Sequence, residues 1–321
     1  MPRKTIIFGN GLGMALNHQA FSLDRALGVV WDDPDILSAA QKQLICNCLP
    51  DDRVGRPQGE DELDKLQLAL SACDFLVGIP GSRIHWLSQE GQLFPAAVRK
   101  LIYNTARQFH QTGEELPDEF IGPFCDFIEQ TESHIGTLNY DNLLYQPMID
   151  RALLHGYDGA LVDGFHDAGF AKENLERRYG RTFGYYLHLH GSPLFVDRRR
   201  ATIKIHQFDL AEQADTMSSH IVLTHFEHKP AVISASRVLL SYWQLLSEAI
   251  DESEEVILFG YSGADTHLNL LLKSMSDKPV KVVEWNGAGG EHDRAIFWRQ
   301  QIGRGVELVQ LPNVHDFREW G

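Results

Sequence analysis

The chain of 321 residues has few cysteines, no long apolar run and no extended stretch of basic charge. Its four cysteines, Cys46, Cys48, Cys73 and Cys125, are too few and too scattered for a disulfide framework. Cys46-x-Cys48 lacks the two-residue gap of a zinc knuckle, and no second close pair follows. Mostly buried thiols in a reducing compartment are expected. No segment approaches the roughly 20 apolar residues that span a bilayer. The amino-terminal run Thr5-Ile6-Ile7-Phe8 stops at Gly9, too short for the core of a signal peptide. A soluble, cytoplasmic protein is the expectation. Lys and Arg number 29 against 44 Asp and Glu, a net charge of −15 that repels a phosphate backbone. Arg198-Arg199-Arg200, the one tight basic cluster, reads as a solvated turn. Neither nucleic acid nor a membrane is therefore an expected partner.

What is present is an ordinary globular composition, long enough to bury a large core. Short β-branched runs alternate with helical stretches, the pattern of a parallel sheet covered by helices. Thr5–Phe8, His134–Leu138, Tyr185–Leu189, Val256–Phe259, Val280–Trp285 and Val306–Val309 read as strands. Most are too continuously apolar to have a wet face, as strands buried on both sides should be. Val98, Leu101, Ile102, Thr105 and Phe109 recur at helical spacing, as do Val238, Leu239, Tyr242, Leu245, Leu246 and Ile250. The expected fold class is α/β, a Rossmann-like parallel sheet with helices on both faces, forming one domain over residues 1–321. Residues 20–130 carry no strand pattern and are expected to form an inserted, mostly helical subdomain. Residues 193–235, with β-like pieces at Thr202–Ile205 and Ile221–Leu223, are expected to form a small insertion or flap.

Four polar segments stand at the carboxyl ends of expected strands, where open α/β sheets bind ligands. Gly9-Asn10-Gly11-Leu12-Gly13 follows the first strand, so its backbone can approach a diphosphate at a helix start. It is an incomplete dinucleotide fingerprint, since Leu16 stands where a third glycine is expected. A tight structural turn is the competing reading. Thr137-x-Asn139-x-Asp141 alternates polar groups onto one strand face, where each needs a hydrogen-bonding partner. Asp141 could equally cap the next helix. His188-Leu189-His190-Gly191-Ser192 presents an imidazole suited to proton transfer, with His190 nearer the strand end. Gly260-Tyr261-Ser262-Gly263-Ala264-Asp265 precedes a helix and offers small residues and a hydroxyl. Asn286 then ends the next strand. His225-x-x-His228 has a metal-like spacing, but Pro230 and the absence of a nearby third ligand argue against a metal.

The succession Gly-Asn-Gly, Thr-x-Asn-x-Asp, His-Gly-Ser, Gly-x-Ser-Gly and strand-Asn resembles the sirtuin family, whose members bind NAD in an atypical Rossmann-like domain. The resemblance spans residues 5 to 286 and is similar to the bacterial sirtuin-like NAD hydrolases, several of which act as anti-phage effectors. It implies that Gly9, Asn10, Gly11 and Leu12 line the phosphate and nicotinamide-ribose side. Asn139 and Asp141 would sit in the nicotinamide pocket, with Asn139 catalytic and His190 the base. Gly260, Ser262 and Asn286 would hold the adenosine half, while Thr137, Gly191, Ser192 and Asp265 complete the expected NAD-binding set. Protein-deacylating sirtuins carry a four-cysteine zinc module between the His-Gly and the later Gly-Ser motifs. Residues 192–259 contain no cysteine, and the usual Gly-Ala-Gly opening is Gly-Asn-Gly. Lysine deacylation is therefore not expected, and neither is a metal.

The expected reaction is hydrolysis of the nicotinamide–ribose bond of NAD, with NAD as substrate. ADP-ribosyl or acyl transfer stands as the alternative, as does a non-catalytic NAD or ADP-ribose sensor; a plain dehydrogenase ranks below both. The resemblance further implies control by a small-molecule signal, homo-oligomerisation or a regulatory protein partner such as an ATPase.

Overall fold

The computed structural model describes residues 2–50, 55–79, 87–198, 201–213, 220–223, 229–275 and 277–321. Seven of its strands form one parallel sheet: β1 (Lys4–Phe8), β2 (His134–Thr137), β3 (Leu161–Val162), β6 (Gly184–His188), β9 (Glu255–Phe259), β10 (Val280–Trp285) and β11 (Glu307–Leu311). Two antiparallel ribbons lie outside it, β4 (Phe165–His166) with β5 (Gly169–Phe170), and β7 (Phe195–Arg198) with β8 (Ala201–Lys204). The sheet order is β11-β10-β9-β1-β2-β6-β3. From β1 the chain builds one half through β2 and β6, then crosses back to build the other through β9, β10 and β11. This is a Rossmann-like, doubly wound plan, and its winding reverses between β1 and β9, which opens a crevice at the carboxyl ends of those strands.

All six expected strands are present. Leu138 and Leu189, expected to end strands, lie one residue beyond β2 and β6. β3, a two-residue edge strand, is too short to show a periodic pattern.

Helices cover both faces of the sheet. Phe8 and Phe259 stand in register on one face, against Phe120 and Phe124 of α6 (Asp118–Thr131) and the carboxyl-terminal Trp320. Thr5, three residues before Phe8, points to the other face. Its hydroxyl donates to the Ala249 carbonyl of α9 (Arg237–Glu252) at 3.0 Å, so the one polar group in this stretch of β1 is satisfied. The Ser236 hydroxyl accepts from Leu239 N and caps the start of α9, whose buried stripe is the one expected from Val238 to Ile250.

Between β1 and β2 run α1 (Gly11–Leu16), α2 (Leu23–Asp32), α3 (Ala39–Cys46), α4 (Glu60–Val77), α5 (Gln89–His110) and α6. Residues 20–130 hold no strand among those described. α2, α3 and α4 each pack on α5, and their buried side chains are continuous with those on the sheet. α3 opens with a reciprocal capping box between Ser38 and Gln41. The short α7 (Tyr145–Asp150) comes after β2. In residues 193–235, the expected β-like piece at 202–205 is β8, and Ile221 makes an isolated bridge to Gly191. The remaining helices are α8 (Lys229–Ala235), before α9, then α10 (Thr266–Ser274) and α11 (Glu291–Ile302).

One expectation is corrected. All four thiols are free, but only Cys125 is buried; Cys46, at the end of α3, and Cys73, in α4, are partly covered, and Cys48, in the turn after α3, is exposed. In the acidic run opening α4, Glu62 and Asp64 are buried, and the Glu62 carboxylate accepts from Gln58 N at 2.7 Å. No described helix is long and apolar enough to cross a membrane. Arg199, Arg200 and the His225–His228 pair lie outside the described residues.

Trp320 is 2 % exposed and touches Phe8, Phe120, Phe124, Phe259 and Phe317, yet its indole N–H has no hydrogen-bond partner among the described residues. Trp320→Ala should therefore lower unfolding stability by about 3–5 kcal/mol, since the site cannot collapse onto so large a void. Trp320→Phe should cost much less, because it also removes an unsatisfied buried donor. Urea denaturation of the two variants checks both, and equal losses would show that the ring packing is not what holds the terminus.

Candidate functional site

The loops that leave β1, β2, β6 and β9 converge at the crevice on a cavity of about 220 Å³. Of the residues expected from sequence, Gly9, Asn10, Gly11, Asn139, Asp141, His190, Gly260, Ser262 and Asp265 line it. Leu12, Thr137, Gly191, Ser192 and Asn286 do not.

The glycines are required for a reason other than the expected one. A Cβ on Gly9 would lie 2.7 Å from the Gly260 carbonyl oxygen, and one on Gly11 would lie 2.5 Å from it. Gly260 itself has φ +58, a conformation that disfavours side chains. The loops after β1 and β9 thus cross in direct backbone contact, with Gly9 N donating to Phe259 O at 2.9 Å and Gly11 N to Gly260 O at 2.8 Å. Leu12 N bonds Gly9 O within the turn. The amides expected to meet a diphosphate at Gly9, Gly11 and Leu12 are already used by the chain. Asn10 Nδ2 donates to Phe21 O at 3.2 Å, which ties the same loop to the helical stretch.

Asn139 is held at two points. Its backbone N–H donates to the Thr137 hydroxyl at 3.1 Å, and Nδ2 donates to Gly9 O at 3.1 Å. These contacts orient the amide, because a carbonyl can face only the NH₂ side. Oδ1 is buried and finds no hydrogen-bond partner among the described residues, in a side chain that belongs to the cavity lining. A buried acceptor with nothing to accept from is costly unless a ligand or water supplies the donor. Thr137 therefore supports the site from behind rather than lining it.

Opposite, His190 Nε2 lies 2.8 Å from Asp265 Oδ2, and Lys229 Nζ lies 3.0 Å from the same oxygen. All three side chains are at least nine-tenths buried. Burial opposes ionisation of Asp265, but its contacts with His190 and Lys229 outweigh that and hold the carboxyl well below the usual carboxylate range. Burial, reinforced by the Lys229 charge, lowers the His190 pKa despite the bond to Asp265. The arrangement is an Asp265–Lys229 ion pair with the His190 imidazole within hydrogen-bond distance of the same carboxylate oxygen.

The remaining expected residues have structural roles. Asp265 Oδ1 accepts from Leu268 N and caps α10, so this residue is committed to the protein on both oxygens. Asp141 is buried and accepts from Leu143 N at 3.1 Å within the loop; it does not cap α7, whose N-cap position is Leu144 and has no side-chain cap. Ser192 accepts from Leu194 N at 3.2 Å. Gly191 has φ +84, and a Cβ there would overlap His220 O, so the glycine serves a chain crossing. The Leu12 carbonyl takes a hydrogen bond from His315 Nε2 at 2.9 Å. Asn286 is exposed beyond β10, outside the cavity.

Sequence reasoning missed Lys229, Glu60 and Tyr140, which also line the cavity. Tyr140 sits between two expected residues, and its hydroxyl donates to Val222 O. Glu60 and Lys229 reach the site from α4 and α8, and no local spacing marks either. No group of three His, Cys, Asp or Glu among the described residues could hold a metal ion. No family model matches the chain, and no curated protein matches it.

Burial pushes the Asp141 carboxyl up to about 6, against the backbone hydrogen bond it accepts. The folded state thus holds this proton where the unfolded chain has released it, so stability falls as pH rises from about 4 to about 6 and is flat beyond. Asp141→Asn keeps the acceptor and removes the charge. The variant should match wild type near pH 4 and exceed it by on the order of 2 kcal/mol above pH 6. Melting temperatures across this range check it, and a difference that does not grow with pH would sink the assignment.

Proposed function

We propose that this chain hydrolyses NAD at the bond between nicotinamide and its ribose. The observation that carries the reading is that Asn139 and His190, from two different strand ends, line one cavity at the crevice of a doubly wound sheet. The identity of the substrate comes from the resemblance of these motifs to those of sirtuin-like NAD hydrolases. At about 220 Å³ the cavity suits one nucleoside half, the nicotinamide side, with the adenosine half lying across the rim near Ser262.

In this reaction the C1–N bond breaks and its electron pair stays on the pyridine nitrogen, so nicotinamide leaves neutral. Positive charge grows on C1 and the ring oxygen of the ribose, as in glycoside hydrolysis. The Asn139 side chain, a neutral amide among the residues lining the cavity, meets that charge without a desolvated carboxylate. Water adds to C1 and gives its proton to His190. The products are nicotinamide, ADP-ribose and a proton. Burial keeps His190 neutral and therefore basic at ordinary pH.

An unregulated NAD hydrolase would deplete its own cell. The proposal therefore includes control by self-association, a small-molecule signal or a protein partner such as an ATPase, as suits an anti-phage effector.

Incubation of purified protein with NAD, alone and with candidate activators, should release nicotinamide and ADP-ribose without added acceptor. Turnover that depends on an acceptor would indicate transfer instead. Asn139→Ala and His190→Ala should each cut nicotinamide release at least about 100-fold while far-ultraviolet circular dichroism stays unchanged. Wild-type turnover by either variant would remove that residue from the mechanism.

A further inference from the structure

The neutral imidazole can carry its single proton on either ring nitrogen, and only one tautomer leaves a lone pair for water. Sequence motifs place a histidine at the strand end but say nothing about its tautomer. Asp265 determines it. This carboxylate is fixed by its own cap on α10, where Oδ1 accepts from Leu268 N at 3.1 Å, so Oδ2 cannot swing away. Oδ2 accepts from Lys229 Nζ at 3.0 Å and is 2.8 Å from His190 Nε2. An ionised carboxylate is acceptor-only, so Nε2 must be the protonated nitrogen.

We propose that Asp265 and Lys229 are positioning residues for His190: the carboxylate, pinned by the buried ammonium, takes the Nε2 proton in a hydrogen bond and leaves the Nδ1 lone pair as the base. The inference rests on the NAD-hydrolysis reading for its consequence, but its structural content stands independently of the substrate. Lys229 has a second effect, since a cation on the far side of the carboxylate opposes protonation of the ring. The pair thus fixes which nitrogen is free and keeps it free. The other ionisable groups around the ring are Glu60 at the start of α4, Tyr140 and Asp141 after β2, and His267 in the first turn of α10. None of these is hydrogen-bonded to the ring. This assigns to the Asp of the Gly260–Asp265 segment a role toward the histidine in place of one toward the ligand.

The tautomer is read without substrate, by ¹⁵N NMR of the imidazoles, with the His190 signals identified by their loss in His190→Gln. In the wild type Nε2 should appear protonated and Nδ1 unprotonated at neutral pH. Asp265→Asn preserves the shape and the cap but offers an N–H to the ring. It should reverse the two signals and cut nicotinamide release by about 10²–10⁴-fold, the range for loss of a positioned base through its tautomer. Lys229→Met should raise the pH at which activity is lost on acidification by about one unit, because the ring no longer feels the cation. Lys229→Arg should restore the wild-type profile. If either single variant fails to fold for want of a buried partner charge, the Asp265→Asn/Lys229→Met double variant removes both charges and should still show the reversed tautomer. An Nδ1-protonated wild-type ring would overturn the proposal. So would a Lys229→Met variant whose acid limb stays put while its KM for NAD rises, which would make Lys229 a substrate contact. If the tautomer behaves as stated and no nicotinamide is released even by the wild type, the positioning role stands and the hydrolysis reading falls.

Discussion

The site depends on one crossing of two loops. Gly9, Gly11 and Gly260 let the chain leaving β1 touch the chain leaving β9 with no side chain between them, in a contact closed by two backbone hydrogen bonds. Asn139 then hangs its amide on the Gly9 carbonyl, which fixes the orientation of its side chain. A methyl group at any of the three positions would push the loops apart and release the amide. The same crossing uses the Gly9 and Gly11 N–H groups that a diphosphate would otherwise find near the first helix start, so the rigidity of the loop and its value as an anion cradle compete.

Around that crossing the polar groups divide by burial. Asp141, buried with backbone hydrogen bonds but no cation, is pushed toward neutrality. Asp265, equally hidden, stays ionised because Lys229 and His190 both reach it. Two carboxyl groups lining one cavity thus have their pKa values displaced in opposite directions, and only the second is hydrogen-bonded to an imidazole. A lone buried ion is costly, so Lys229 is as much a condition for the ionised Asp265 as a neighbour of it.

The strands and the two long helical stripes were legible because they depend on local periodicity: a doubly covered strand must be apolar throughout, and a core helix must repeat its apolar positions every three or four residues. Their carboxyl-terminal polar residues were legible for a related reason, since an Asn or His at the end of an apolar strand needs a partner. The two-residue β3 carried too few positions for any period. Leu12, Ser192, Gly191 and Asn286 were grouped with the site by the resemblance of their motifs. In space, the backbone and side-chain contacts of the first three are internal to the fold, and the fourth lies outside the cavity.

By itself the sequence determined a parallel α/β sheet and the set of strand ends at which polar chemistry collects, because those follow from hydrophobic pattern and from the cost of stranding polar groups. Only the tertiary structure decided which of those groups meet. Glu60 and Lys229 enter the cavity from distant helices, and Asp265 turns to His190 across 75 residues of chain. Such pairings depend on how the sheet order folds the ends together, and sheet order is a long-range property that no local spacing records.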